Sequence, residues 1–290
     1  VVEAGCGKCV TPMRILRLLA PQSSEVDGAI EFDRVDLLSL TEREMRAIRG
    51  NAISMIFQEP ATSLNPVLTV GYQIREAIQL HSDLGGRAAR KRAEELLALV
   101  GIPAPAQRLR EFPHQMSGGM KQRIMIAIAL AGSPKLLIAD EPTTALDVTI
   151  QAQILDLMRE LKRKTGSSVI LITHDLGVVA QMADRVIVMY AGRKVEEAGV
   201  SDLFERPMHP YTQGLLNAVP KLGSSLEEGA DTMLSGIEGS VPDLRKPVEG
   251  CVFASRCQFV TDKCRAEAPA LVDRGAHLVA CHYLPGEYPA

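Results

Sequence analysis

Two acidic residues directly follow a short apolar segment near the middle of the chain. Lys135–Ala139 reads KLLIA, which predicts a strand buried on both faces, and Asp140 and Glu141 come next. In a parallel sheet, ligands bind at the carboxyl ends of the strands. Carboxylates at that edge can hold Mg²⁺ and polarise a water molecule. We therefore interpret the pair as a phosphoryl-transfer site rather than as a solvated strand end.

A glycine-rich turn lies 23 positions before this pair. Ser117, Gly118 and Gly119 open a predicted helix, and Asp147 follows the acidic pair within the same continuous stretch. Exposed backbone N–H groups and the positive end of a helix favour a phosphate group. The turn and the acidic pair together indicate a site for phosphate and Mg²⁺.

The first nine residues, VVEAGCGKC, partly match the phosphate-binding loop G-x-x-x-x-G-K-[ST]. The matching residues are Gly5, Gly7 and Lys8. Val2 replaces the first glycine, and Cys9 replaces the hydroxyl residue that normally binds Mg²⁺. A thiol is a poor ligand for a hard ion, so the sequence predicts phosphate binding with a weakened metal contact.

Two further polar residues stand at the ends of predicted buried strands. Gln58 follows Ala52–Phe57, and His174 follows Ser167–Thr173. Taken alone, each is most simply a polar residue that ends a strand. Their order relative to the loop and the acidic pair favours a role in the nucleotide site.

The stretch Gln115–Asp147 resembles the signature motif, Walker B motif and D-loop of ATP-binding-cassette (ABC) ATPases. Its signature sequence, SGGMKQR, is similar to that of the oligopeptide/dipeptide/nickel importer branch. The resemblance implies an α/β P-loop NTPase core with a helical subdomain and a Cys-rich C-terminal extension. It also implies ATP hydrolysis that drives the import of peptides or a related solute such as nickel.

The same resemblance implies a role for each motif. Glu141 is the expected general base, Gln58 contacts Mg²⁺ and the attacking water, and His174 contacts the γ-phosphate. Asp140, Gln58 and Cys9 are the expected Mg²⁺ contacts. The residues expected to bind ATP are Gly5, Cys6, Gly7, Lys8, Cys9, Val10, Ser117, Gly118, Gly119 and Asp147.

The resemblance also implies partners. Two ATPase subunits, identical or different, are expected to meet head to tail on transmembrane permease subunits, with an extracytoplasmic solute-binding protein acting indirectly. The expected location is peripheral, on the cytoplasmic face of the plasma membrane. Because only Val1 precedes the phosphate loop, we expect the sequence to lack its N-terminal strands. A degenerate subunit that binds ATP, beside an active partner, is the alternative that Val2 and Cys9 suggest.

Composition limits the remaining classes. The chain has 290 residues, 46% hydrophobic residues and a net charge of −3. These values are typical of a globular protein and argue against a basic surface for nucleic acid, so no nucleic-acid partner is expected. No apolar segment approaches the roughly 18–20 residues of a membrane span. A soluble ABC protein of DNA repair or translation remains an alternative that the net acidity disfavours.

Four cysteines lie near the C-terminus, at positions 251, 257, 264 and 281. Four thiolates can hold Zn²⁺ or an iron–sulfur cluster, although structural zinc sites usually have closer spacings. The importer resemblance favours a [4Fe–4S] cluster. Zinc, free thiols, disulfides and a redox-responsive role stay open.

Hydrophobic patterns predict the elements that position these residues. We expect a nucleotide-binding domain at 1–207, with a helical subdomain at about 69–116, and an extension at 208–290. The predicted strands are Gly28–Leu38, Ala52–Phe57, Lys135–Ala139, Ser167–Thr173, Asp184–Tyr190 and Lys194–Ala198. The predicted helices are Val10–Leu19, Thr41–Arg49, Val70–His81, Gly86–Val100, Thr149–Lys164 and His209–Val219. Prolines 103, 105 and 113 predict loops.

Overall fold

The computed structural model describes residues 10–20, 26–144, 146–219 and 236–288. The chain divides into two compact units. Among the described residues, those from 10 to 172 form the first unit, and those from 173 to 288 form the second unit. The described part of each unit has its own sheet and its own core. The predicted domain boundary after residue 207 is a different division, and it stays a prediction.

The first unit alternates helices and short strands. Its described helices are Val10–Ile15 (α1), Glu42–Ile48 (α2), Pro60–Ser63 (α3), Val70–His81 (α4), Gly86–Leu99 (α5), Pro105–Arg108 (α6), Gly118–Ala129 (α7) and Val148–Thr165 (α8). Its described strands are Glu31–Phe32 (β1), Val35–Asp36 (β2), Ile53–Ile56 (β3), Leu136–Asp140 (β4) and Ser168–Ile172 (β5).

A parallel sheet with the order β3-β4-β5 forms the centre of the first unit. Ile56 aligns with Ala139, and Asp140 aligns with Ile172, so the carboxyl ends of all three strands meet at one edge. All four residues of β3 are buried, as its apolar sequence predicts. The prediction that β5 is equally buried is wrong, because all five of its residues are partly or fully exposed and Ile170 is 40% exposed.

The hydrophobic core beneath this sheet joins three distant segments. Leu16, Met45 and Ile138 pack in one cluster, with exposures of 4%, 0% and 0%. Thr41 caps α2 through a capping box with Glu44, which satisfies backbone groups at the helix start. The core therefore holds the parallel strands in register.

Helices α4, α5 and α7 pack against one another in the first unit. The predicted helix Val70–His81 is confirmed residue for residue, and α5 ends one residue before the prediction. The 3.6-residue period explains both, because one face of each helix is buried. The predicted loops after residue 103 are wrong in detail: Pro105 begins α6, and Pro113 begins a 3₁₀ helix. Proline fits the first helical turn, where its missing N–H has no partner to lose.

The predicted strand Gly28–Leu38 is also wrong, because the chain reverses in its middle. β1 and β2 pair as a tight antiparallel hairpin, with Glu31 opposite Asp36. The two turn residues, Asp33 and Arg34, have φ angles of 51° and 67°. Positive φ at both turn positions matches the twist of a two-residue hairpin. The alternating pattern of apolar and polar residues does not reveal such a turn.

The second unit is built on an antiparallel sheet. Its described strands are Arg185–Tyr190 (β6), Arg193–Gly199 (β7), Val272–Asp273 (β8) and Leu278–Val279 (β9), in the order β6-β7-β9-β8. Its described helices are Leu176–Met182 (α9), Val200–Glu205 (α10), Pro210–Asn217 (α11) and Asp262–Ala266 (α12). The β6–β7 hairpin is confirmed, but it is not the end of the sheet.

Aromatic side chains fill the core of the second unit. Tyr190 and Tyr211 are fully buried, and their ring centroids lie 4.7 Å apart. Phe253 packs edge-on against Tyr190 at 5.1 Å. Phe253 belongs to the segment that carries the cysteines, so this segment shares a core with the hairpin.

Candidate functional site

Gln58 and Glu141 meet at the carboxyl edge of the parallel sheet. The side-chain amide Nε2 of Gln58 donates a hydrogen bond of 2.8 Å to Oε2 of Glu141, across 83 residues of sequence. Gln58 follows the end of β3, and Glu141 directly follows β4. Because β3 and β4 are parallel neighbours, their pairing carries both side chains to the same edge. The sequence prediction that these residues share a site is therefore consistent with their contact.

The acidic pair is almost removed from solvent. Asp140 and Glu141 are each 4% exposed. The backbone of Glu141 has a φ of 46°, in the left-handed region, and its N–H donates to the Ile172 carbonyl at 2.9 Å. A non-glycine residue pays roughly 1 kcal/mol or more for this conformation. Such strain tends to occur at functional sites, where the surrounding structure enforces it.

Thr144 is a second contact of this carboxylate, and the sequence analysis did not identify it. Its hydroxyl donates to the same oxygen, Oε2 of Glu141, at 2.9 Å. Pro142, which lies between the two residues, could have indicated this contact. Proline favours a β-turn, and a β-turn brings its first and fourth residues close together. One carboxylate oxygen thus accepts two hydrogen bonds from side chains.

The glycine turn begins α7 as predicted. Ser117 is the N-cap, and its hydroxyl accepts a hydrogen bond of 3.3 Å from the Met120 N–H. The first turn of α7 carries no acidic residue. No carboxylate in this turn therefore neutralises the positive end of the helix dipole. Such a helix start favours the binding of an anion.

Gly119 is required at the second glycine position because α8 approaches closely. A Cβ atom at Gly119 would lie 2.8 Å from Cγ2 of Ile150. Asp147 is the N-cap of α8, and its Oδ1 accepts from the Ile150 N–H at 2.9 Å. The glycine turn and the start of α8 thus lie side by side. The predicted contact of Asp147 with nucleotide stays a prediction.

Several predicted site residues cannot be placed at this edge. Gly5, Cys6, Gly7, Lys8 and Cys9 lie outside the described residues. Val10 begins α1 and is 42% exposed. His174 is exposed and belongs to the second unit, where it precedes Asp175, the N-cap of α9. The roles proposed for all of these residues stay predictions.

The donor chemistry at the edge fits Mg²⁺. Asp140, Glu141 and Gln58 present oxygen atoms, which hard divalent ions prefer. In the part of the chain that the structure describes, no three His, Cys, Asp or Glu residues form a metal-binding group. Mg²⁺ usually binds through one or two carboxylates together with substrate phosphates.

The four C-terminal cysteines line one cavity in the second unit, although up to 30 residues separate them. None of them forms a disulfide. The backbone N–H of Cys251 donates to the Cys264 carbonyl at 2.8 Å, which joins two of the segments that carry them. The cavity has a volume of about 20 Å³, enough for roughly one water molecule. Four cysteine sulfurs suit a soft metal centre. An iron–sulfur cluster is larger than the cavity, so side chains must move before a cluster fits.

Burial favours the neutral form of three of these thiols, those of Cys251, Cys257 and Cys281, because it raises their pKa. Burial raises the pKa of the Cys257 thiol to about 11. Burial also raises the pKa of the Cys251 and Cys281 thiols, and neighbouring cysteines add to the effect. A bound metal reverses this preference because it coordinates thiolates.

Among the described helices, none combines the length and the apolar composition that are needed to cross a membrane.

Comparison with known proteins identifies relatives across nearly the whole chain. The family model described as "ABC transporter" matches residues 3–144. The model described as "Oligopeptide/dipeptide transporter, C-terminal region" matches residues 195–264. The second match includes Cys251, Cys257 and Cys264.

Curated relatives are similar at high identity. A probable peptide ABC transporter ATP-binding protein of Sinorhizobium fredii is 56% identical over 283 residues, which cover 97% of this chain and 83% of that protein. The dipeptide transport ATP-binding protein DppD of Bacillus subtilis is 55% identical with the same coverage. The oligopeptide transport protein AppD of that organism is 52% identical, over 94% of this chain and 82% of AppD.

Solved structures share the fold. A dimeric ATP-binding cassette in a post-hydrolysis state with ADP and Pi has a TM-score of 0.60 and 29% identity, over 69% of this chain and 83% of that chain. The protein cbiO1 of Clostridium perfringens, part of an ABC transporter complex, has a TM-score of 0.60 and 27% identity, over 70% and 78%.

Proposed function

Because this chain belongs to the ATP-binding subunits of peptide ABC transporters, we propose that it hydrolyses ATP to drive peptide import through a membrane permease. Family membership supports the ATPase activity and the peptide cargo. The observation that carries the residue assignment is the hydrogen bond between Gln58 and Glu141.

Each residue at the carboxyl edge of the sheet has a separate role in phosphoryl transfer. Bound Mg²⁺–ATP supplies the electrophilic γ-phosphorus and a cation that neutralises phosphate charge. Glu141 accepts a proton from the attacking water at its carboxylate, and Gln58 orients that carboxylate and the water. Asp140 contacts the metal through oxygen. His174 contacts the γ-phosphate, and Lys8 holds the phosphates.

The N-terminus of α7 acts on a second subunit. Ser117, Gly118 and Gly119 present backbone N–H groups that bind the nucleotide held by that subunit. The dimeric cassette among the structural relatives supports this pairing. The pair docks on transmembrane permease subunits at the cytoplasmic face of the plasma membrane, and a solute-binding protein delivers the peptide to the permease.

Replacing the proposed base tests the function. In the full-length protein, Glu141→Gln should lower the rate of Mg-dependent ATP hydrolysis by about 10²- to 10⁴-fold and leave ATP binding intact. Glu160→Gln is the matched control, because Glu160 lies on α8 and its carboxylate forms an ion pair with Lys164. Equal ATPase rates for wild type and Glu141→Gln would reject the assignment.

A degenerate subunit is the second candidate, and the residues Val2 and Cys9 favour it. In that case the chain binds ATP weakly and an active partner hydrolyses it. Cys9→Ser would then raise a negligible ATPase rate, because serine restores an oxygen ligand for Mg²⁺. Robust turnover of the unchanged protein would exclude this candidate.

The four cysteines support a further part of the proposal, a [4Fe–4S] cluster in the second unit. Their convergence on one cavity supports it. Structural zinc sites usually carry their cysteines at closer spacings than these four. The described residues contain no group of three or more His, Cys, Asp or Glu side chains arranged to hold a metal ion. A cluster distributes its four thiolates over several irons. The cavity must widen to admit it.

Anaerobic purification tests the cluster. We expect about four irons and four acid-labile sulfides per chain with visible absorbance, all lost in Cys264→Ser. Cys6→Ser is the matched control and should retain the iron, because it removes the same thiol at a position that is not one of the four C-terminal cysteines. A colourless protein with stoichiometric zinc, or with neither metal, would reject the cluster.

A further inference from the structure

The turn that follows β4 brings Thr144 over the Glu141 carboxylate. Pro142 occupies the second position of the turn, where its ring presets the backbone. The Thr144 N–H donates to the Glu141 carbonyl at 3.2 Å and closes the turn. The Thr144 hydroxyl then reaches Oε2 of Glu141 at 2.9 Å.

Two donors reach the same carboxylate oxygen from different directions. Gln58 approaches from the loop after β3, and Thr144 approaches from the turn that contains Glu141 itself. The last torsion of a glutamate side chain is broad, so a free carboxylate samples many orientations. Hydrogen bonds at one oxygen restrict that torsion and thereby set the direction of the other oxygen.

We propose that Thr144 is a positioning residue for ATP hydrolysis, whose hydroxyl holds the Glu141 carboxylate in the orientation that faces the attacking water. This inference rests on the proposed role of Glu141 as the base. Thr144 acts through Glu141 and touches neither nucleotide nor metal. Its bond is local to the turn, so it persists when the loop that carries Gln58 shifts.

Two substitutions at Thr144 separate the hydroxyl from the side-chain shape. Thr144→Val keeps the shape and removes the hydroxyl, whereas Thr144→Ser keeps the hydroxyl. We expect Thr144→Val to lower kcat about tenfold to a hundredfold, because small misplacements of a catalytic group have effects of this size. The KM for ATP and the thermal midpoint should stay unchanged, and Thr144→Ser should retain most of the wild-type kcat.

Thr143→Val is the matched control, since it makes the same replacement one residue earlier. Among the described residues, Thr143 makes no hydrogen bond to the Glu141 carboxylate. All variants are compared in the full-length protein assembled with its permease. A wild-type kcat in Thr144→Val, or equal losses in the valine and serine variants, would overturn the inference.

The same experiment separates the two proposals. If Glu141→Gln hydrolyses ATP as fast as wild type, the assignment of Glu141 as the base fails, and the inference fails with it. If Glu141→Gln is inactive and Thr144→Val is fully active, only the inference fails.

Discussion

His277 lies 2.6 Å from the fully buried Glu196, measured from Nε2 to Oε1. Glu196 belongs to β7, and His277 precedes β9. The same carboxylate accepts hydrogen bonds from the backbone N–H groups of Met208 at 2.6 Å and His209 at 3.1 Å. One buried acid therefore joins the hairpin, the start of α11 and the segment that contains the cysteines.

We predict that Glu196→Ala strongly destabilises the second unit. The substitution leaves two buried N–H groups and His277 without their acceptor, at a cost of about 3–5 kcal/mol. Urea unfolding measures the change. Glu205→Ala, at an exposed position on α10, should change stability by less than about 0.5 kcal/mol. Similar unfolding midpoints for the two variants would contradict the prediction.

His209 predicts how stability depends on pH. Burial lowers the pKa of His209 from 6.5 to about 4. Between these values the unfolded chain binds more protons than the folded chain, so stability is complete above pH 6.5 and falls as the pH drops toward 4. The contribution of this group is about 3 kcal/mol.

His209→Asn should remove that part of the pH dependence. Asparagine still accepts from the Tyr211 N–H, as His209 Nδ1 does at 3.1 Å, and it caps helices well. Glu196 and His277 are the same in both proteins, so the comparison isolates His209. The measurement is the unfolding free energy from pH 7 to pH 4, and identical slopes would refute the prediction.

Gly250 is required for the approach of the cysteine segments. Its φ is 66°, and a Cβ atom there would lie 2.4 Å from the Arg265 carbonyl oxygen. Gly275 has a similar φ of 83° but open space around it. Gly275→Ala should lose about 1 kcal/mol of stability from backbone strain. Gly250→Ala should lose about 1–3 kcal/mol more from overpacking.

Unfolding in urea compares the two glycine variants, and thiol labelling reports on the cavity. Gly250→Ala should label faster at the four cysteines, because the Cys251–Cys264 contact is disturbed. Equal stability and equal labelling rates would show that the close approach at Gly250 is not a constraint.

A double-mutant cycle tests whether Gln58 acts through Glu141. Gln58→Ala should lower kcat in the wild-type background and have little further effect in Glu141→Gln, because residues that act as a unit are not additive. In the Glu160→Gln background, the effect of Gln58→Ala should be as large as in wild type. Multiplicative losses for Gln58 and Glu141 would instead indicate independent roles.

Local patterns in the sequence were sufficient for the long amphipathic helices and for the motifs. Helix α4 matches its predicted bounds because a 3.6-residue period is a property of neighbouring residues. The acidic pair at the end of β4 can likewise be identified from local sequence, because it directly follows an apolar segment. The sequence did not predict the hairpin at Asp33 and Arg34. The alternation of apolar and polar residues does not indicate which residues have positive φ angles.

Only the tertiary structure decided which distant residues meet. The pairing of β3 with β4 brings Gln58 to Glu141, the turn at Pro142 adds Thr144, and the β7–β9 pairing joins the cysteine segment to the hairpin. The sequence by itself determined the chemical identity of the donors and the family. The contacts between these donors depend on how helices and strands that are far apart in the chain pack together. Patterns among neighbouring residues do not determine that packing.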